Sequence, residues 1–66
     1  MEKLTTYIKE DKIIIQRADY IEDGWYVEID GDVITLFEIP LGGGEDSVVG
    51  CYDTLLEAIT KGKELT

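Results

Sequence analysis

The groups in this chain that could do chemistry are one thiol, several hydroxyls and a surplus of carboxylates. There is no histidine. Cys51 would need a lowered pKa to act as a nucleophile, from a nearby cation, a His base or a helix N-terminus. Only the last is available, because a helix is expected to begin about three residues later. Asp53 beside it opposes a thiolate, so Cys51 is expected to be buried and inert. Ser47, Thr54 and Thr60 have no imidazole to activate them, which excludes a serine-type triad. Paired carboxylates could serve acid/base work on sugars, but that chemistry needs a cleft that holds substrate. A small sheet with one helix rarely forms one, so these acids are expected to be solvated.

Two short motifs look like ligand sites and fall short on spacing. Asp30-Gly31-Asp32 with Glu28 and Glu38 supplies oxygen ligands for Ca²⁺. A calcium loop, however, places Gly sixth, after ligands at positions one, three and five. The segment reads instead as a hairpin turn. Gly42-Gly43-Gly44 resembles a phosphate cradle, yet such loops lead into a helix and usually bring a Lys. This one leads to Glu45 and Asp46 and reads as a hairpin loop. No cofactor, metal site or catalytic residue is expected, and the chain reads as non-enzymatic.

Charge is distributed unevenly. From Ala18 to Thr60 the chain holds eleven acids and no Lys or Arg; all six cations lie outside that stretch, and the net charge is −9. The middle of the molecule should therefore project a negative field and repel nucleic acid. Tyr7, Tyr20, Trp25, Tyr26, Phe37 and Tyr52 could stack on bases, but base-stacking sheets also carry basic groups for the backbone. These aromatics are assigned to the core and to protein contacts, and direct DNA or RNA binding is rejected.

The chain has 66 residues, enough for a single domain spanning 1–66. A core of this size is marginal and is usually reinforced by disulfides, a metal or a partner. Cys51 is the lone cysteine and closes no internal bridge. That leaves a well-packed core or self-association, with a homodimer left open. No apolar run approaches the roughly 20 residues of a membrane span. The first twelve residues lack the pattern of a signal peptide. A bacterial-type cytoplasm is the expected location.

The elements that must position these groups are mostly strands. Ile13-Ile14-Ile15 lies in a β-branched run, Lys12 to Ala18, expected to be buried on both faces. In Gly24 to Ile29, Trp25, Val27 and Ile29 point one way and Tyr26 and Glu28 the other. Asp30-Gly31 tolerates the positive φ of a tight hairpin, and Val33 to Ile39 is the return strand. Ile34 and Leu36 oppose Val33, Phe37 and Ile39, so both faces of that strand are apolar. The register depends on whether the loop holds two or three residues. Pro40 ends the strand, Leu41 to Glu45 is a glycine turn, and Asp46 to Tyr52 is the next strand. Leu4 to Lys9 is a candidate edge strand turning at Glu10-Asp11.

The period then changes. Thr54-Leu55-Leu56-Glu57 is a capping box, in which the Thr hydroxyl takes one amide and the Glu side chain reaches back to another. Leu55, Ala58, Ile59 and Gly62 recur at helical spacing, and Gly62 is a candidate terminator. The expected fold is α+β: an antiparallel meander of four to five strands with one C-terminal helix packed on one face. The other face must be solvated or meet a partner.

Two segments resemble the HicB-like antitoxin family. Ile13-Ile14-Ile15 through Glu22-Asp23-Gly24-Trp25-Tyr26-Val27 is similar to that family's first hairpin. Tyr52-Asp53-Thr54-Leu55-Leu56-Glu57-Ala58 is similar to the start of its helix. Together they cover under half the chain. Between them lies an additional hairpin, Asp30 to Cys51, and the resemblance does not extend to a DNA-binding segment. It implies a small acidic partner that covers a basic toxin.

The functional expectation is a protein-interaction module, antitoxin-like or an adaptor, that docks a basic protein surface through carboxylates on the outer side of the sheet. No cation is expected on that side. Tyr26, Glu28, Asp30, Asp32 and Glu38 are the contact candidates. The alternative is a phage-type inhibitor whose spaced carboxylates imitate nucleic acid in a binding groove.

Overall fold

A computed structural model of the protein describes residues 4–17, 24–40, 42 and 44–65. Residues 1–3, 18–23 and 66, and Leu41 and Gly43 of the expected glycine turn, lie outside the described residues, so the expected strand end at Ala18 and the assignment of Tyr20 fall outside them.

Five strands and one helix follow in order: β1 (Leu4–Lys9), β2 (Lys12–Arg17), β3 (Gly24–Asp30), β4 (Val33–Ile39), β5 (Ser47–Tyr52) and α1 (Leu55–Glu64). The strands form one antiparallel meander in the spatial order β1-β2-β3-β4-β5. Sequential hairpins need no crossover, so this topology is the short-loop solution for strands so close in sequence. The expected edge strand at Leu4 to Lys9 is present, and the sheet has five strands among the described residues, as the expected four to five allow.

The β3–β4 register settles the loop length. Asp30 pairs with Val33, which leaves Gly31 and Asp32 as a two-residue turn. The turn pair therefore sits one residue later than the expected Asp30-Gly31. Gly31 takes the positive φ, at 62°, which glycine adopts without a Cβ penalty. With that register Trp25, Val27, Leu36 and Ile34 share one face. Tyr26, Glu28, Thr35 and Phe37 share the other.

Helix α1 lies over β3, β4 and β5. The core beneath it is Ile15, Trp25, Val27, Leu36 and Ala58. Ile29, Ile34, Val49, Tyr52, Leu55, Ile59 and Leu65 pack around it. In β5 the ladder shifts between Leu36 and Phe37, so that Leu36 meets Gly50 and Phe37 meets Val48. Val49 is the extra residue of this bulge and packs against the core.

The helix starts at the expected cap. Thr54 is extended, and its hydroxyl accepts from the Glu57 N–H at 3.2 Å. The Glu57 carboxylate accepts from that same hydroxyl at 3.1 Å rather than reaching a backbone amide. Lys61 and Lys63 lie in the last turn, where the negative end of the helix dipole favours cations. Gly62 does not end the helix. It is buried inside α1, which continues to Glu64. No helix among the described residues is long and apolar enough to cross a membrane.

Candidate protein-binding face

The side of the sheet turned away from α1 is the candidate site. Antiparallel register assigns its residues. Tyr26, Glu28 and Asp30 stand in a row on β3, with Ile14 and Gln16 of β2 opposite Glu28 and Tyr26. Phe37, Thr35 and Val33 of β4 stand opposite the same row on its other side. Tyr7 of β1 faces Ile14.

The floor of this face is aromatic and aliphatic. Tyr26 and Phe37 stack with ring centroids 5.0 Å apart and planes 11° apart. Such stacks add roughly 0.5–1.5 kcal/mol beyond the area they bury. Ile14 is buried although no helix covers it. Around it Tyr7, Lys9, Lys12, Tyr26, Glu28 and Asp46 line a concavity of about 320 Å³.

Hydrogen bonds hold the rim. The Tyr26 hydroxyl donates to Asp46 Oδ2 at 2.8 Å, tying β3 to the segment that enters β5. Partial burial and that bond to a carboxylate both push the Tyr26 phenol well above its ordinary range. The Tyr7 hydroxyl donates to Gln16 Oε1 at 2.9 Å across β1 and β2.

The expected absence of cations from this face is corrected. Lys12 Nζ lies 3.2 Å from Glu28 Oε1. That hydrogen bond, followed by the attraction of the Glu28 charge, raises the Lys12 pKa above its usual value. The cause is topological: the meander sets β2 beside β3, and Lys12 shares the face of Ile14 and Glu28. Charges far apart in sequence are thereby neighbours in space.

The five candidate contact residues do not all converge. Tyr26, Glu28 and Asp30 share the open face. Asp32 is exposed in the β3–β4 turn at one end of it. Glu38 is exposed but pairs with Trp25 in the ladder, which puts it on the helix side of the sheet. Sequence reading missed Ile14, Lys12 and Asp46 as members of the site. The alternation that assigned Tyr26 and Glu28 one face would have found Lys12 and Ile14 once β2 was paired with β3. Nothing in the sequence pairs Asp46 with Tyr26.

Cys51 is also corrected. It is exposed rather than buried, opposite Thr35 on the open face, with Sγ 3.7 Å from Thr35 Oγ1. Tyr52, one residue on, turns toward the core instead.

No protein-family model matches this chain, and neither a curated protein nor a solved structure matches it.

Proposed function

We propose that the protein is a non-enzymatic interaction module that docks a basic protein surface on its uncovered sheet face. One observation carries this reading. The Tyr26–Phe37 stack and Ile14 form an apolar floor on the side without a helix, and Glu28, Asp30 and Asp46 stand around it with Lys9 and Lys12 along its β1–β2 side. Interfaces are built in this way, with aromatic anchors inside and polar groups at the rim. A net charge of −9 favours encounter with a basic partner.

The Lys12–Glu28 pair bears on the choice between the two binding readings. Imitation of nucleic acid calls for an unbroken row of carboxylates. Here the row Glu28–Asp30 is capped by a lysine at Glu28 and by an aromatic stack beyond it. That arrangement favours protein docking over the nucleic-acid decoy. An antitoxin-like role, covering a basic toxin in the cytoplasm, is the specific form that the HicB-like resemblance suggests.

The test is a titration of isotope-labelled protein with a peptide of alternating Arg and Val. Amide shifts should concentrate at Tyr26, Glu28, Asp30 and Phe37. Glu28→Lys with Asp30→Lys should weaken the binding, and added salt should weaken it moderately. Shifts spread evenly over all acidic residues, Glu38 and Glu57 included, would reduce the open face to a solvated surface.

A further inference from the structure

The two edges of the sheet are unlike. The β5 edge carries the bulge at Val49 and is flanked by Glu45, Asp46 and Asp53. Bulges and charges are how sheets blunt an edge against further pairing. Strand β1 also has charges at its end, Lys9 and the turn acids Glu10 and Asp11, but it has no bulge. Its six residues, Leu4-Thr5-Thr6-Tyr7-Ile8-Lys9, are all exposed, run without a bulge against β2, and contain no proline. Among the described residues β2 is its one neighbour.

The face of β1 on the helix side is apolar as well. Leu4, Thr6 and Ile8 share that side with Ile13 and Ile15 of β2. Helix α1 lies over β3, β4 and β5 and leaves this flank open. Ile8 is 76% exposed, and Leu4 and Ile13 are also exposed.

We infer that β1 pairs antiparallel with β1 of a second copy, joining two sheets into one ten-stranded sheet about a twofold axis at Thr6. Backbone geometry selects this register. Lys9 and Lys12 close a two-residue turn, so Lys9, Tyr7 and Thr5 bond inward to β2. Leu4, Thr6 and Ile8 therefore aim their N–H and C=O groups outward. A twofold axis normal to the sheet keeps both helices on one side and pairs residues of the same facing. Centred on Thr6, it sets Thr6 against Thr6 and Leu4 against Ile8 of the other copy, twice. Every outward group from Leu4 to Ile8 then finds a partner, and each pair on the helix side matches apolar with apolar or threonine with threonine.

Charge names the occupant. A chain of net charge −9 repels its own copies almost everywhere. Two segments are exceptions: residues 4–17, with Lys9, Lys12 and Arg17 against Glu10 and Asp11, and the end of α1, with Lys61 and Lys63 against Glu64. Of these only the first includes an edge strand. The edge that is structurally open is thus the one where two copies approach with least repulsion.

Sedimentation equilibrium on the full chain tests this at low and high salt. The protein should pass from monomer to dimer mass as concentration rises. Salt should tighten the dimer by screening the acidic bodies, opposite to its effect on the basic peptide. Thr6→Pro removes one outward N–H from each copy while sparing the β1–β2 ladder. It should weaken association by about tenfold or more. Thr6→Lys keeps every backbone bond and sets like charges against each other at the axis, so it should also weaken association, and it serves as the control for any disturbance of the hairpin by proline. In a Cys51→Ser background, Thr6→Cys should give a covalent dimer on mild oxidation and Val48→Cys should not. A wild type that stays monomeric, a dimer that survives Thr6→Lys, or equal crosslinking from Val48→Cys overturns the inference.

Discussion

Gly62 lies flat against the Trp25 indole: a Cβ built on it would sit 2.6 Å from Trp25 Cδ2 and Cε3. The bare backbone at this turn of α1 is what lets the helix settle onto the largest side chain of the core, which is 1% exposed. Alanine at 62 sets two effects against each other. It gains about 1 kcal/mol of helix propensity. It also forces a methyl group into a ring that is buried on every side, and overpacking of this kind costs typically 1–3 kcal/mol or more. At 2.6 Å the second effect wins, because the indole has no space to yield. Gly62→Ala should lower the urea midpoint and the melting temperature. Alanine at an exposed helix position, Thr60→Ala, should not lower them.

The β1–β2 turn holds a second testable strain. Glu10 and Asp11 both have positive φ, at 52° and 66°. Two residues of positive φ in a two-residue hairpin loop are the pattern that Asn-Gly fits best. A side chain such as Glu in this region costs roughly 1 kcal/mol or more. Glu10→Asn with Asp11→Gly should therefore stabilise the protein by about 1 kcal/mol, read as a raised denaturation midpoint with unchanged m-value. No change, or a loss, would show that Glu10 makes a compensating contact.

Tyr26 predicts a pH dependence. Partial burial, and then its bond to Asp46, raise its pKa from the ordinary 10.0. The neutral phenol is thus favoured in the folded state. A raised folded pKa contributes stability that is complete below the unfolded value and fades as pH climbs from there toward the folded value. Lys12, raised by Glu28, acts in the same direction and the same alkaline window. The protein should lose stability above about pH 10, the ordinary phenol value. Tyr26→Phe should flatten that loss while keeping the stack on Phe37. Near neutral pH it should cost about 1 kcal/mol or less, since the hydroxyl bond is solvent-exposed. Ultraviolet titration should show a phenol that ionises above the ordinary range, and Tyr26→Phe should lose it.

How far the fold was legible follows from which signals are local. Alternation placed Trp25 and Val27 on one face and Tyr26 and Glu28 on the other. Thr54 with Glu57 marked the helix start. Both patterns are complete within a few residues. The features that escaped are those that need a partner distant in sequence. Gly62 reads as a stop signal until Trp25 is known to lie beneath it. Glu28 reads as an unneutralised acid until β2 delivers Lys12. Glu38 reads as one more member of an acidic face until its pairing with Trp25 turns it to the other side. A bulge has the same effect on β5: one extra residue at Val49 resets which side chains face the core.

Cys51 illustrates that last point and provides a direct check. Its neighbours Val49 and Tyr52 pack against the core, while Cys51 faces outward opposite Thr35. A thiol exposed on a strand should react with an aromatic disulfide reagent in the folded protein, without denaturant. Accessibility governs which thiols react at all, and the rate then follows the thiolate fraction. The folded and urea-unfolded proteins should therefore both titrate one thiol per chain within the same experiment. Because Cys51 shares the open face with Tyr26 and Phe37, a bulky adduct there should also reduce binding of the basic peptide. It should leave β1-mediated association unchanged, since β1 and β5 are opposite edges of the sheet. A thiol that reacts only after unfolding would mean that Thr35 and its neighbours close over Sγ, and the outward placement of Cys51 would be wrong.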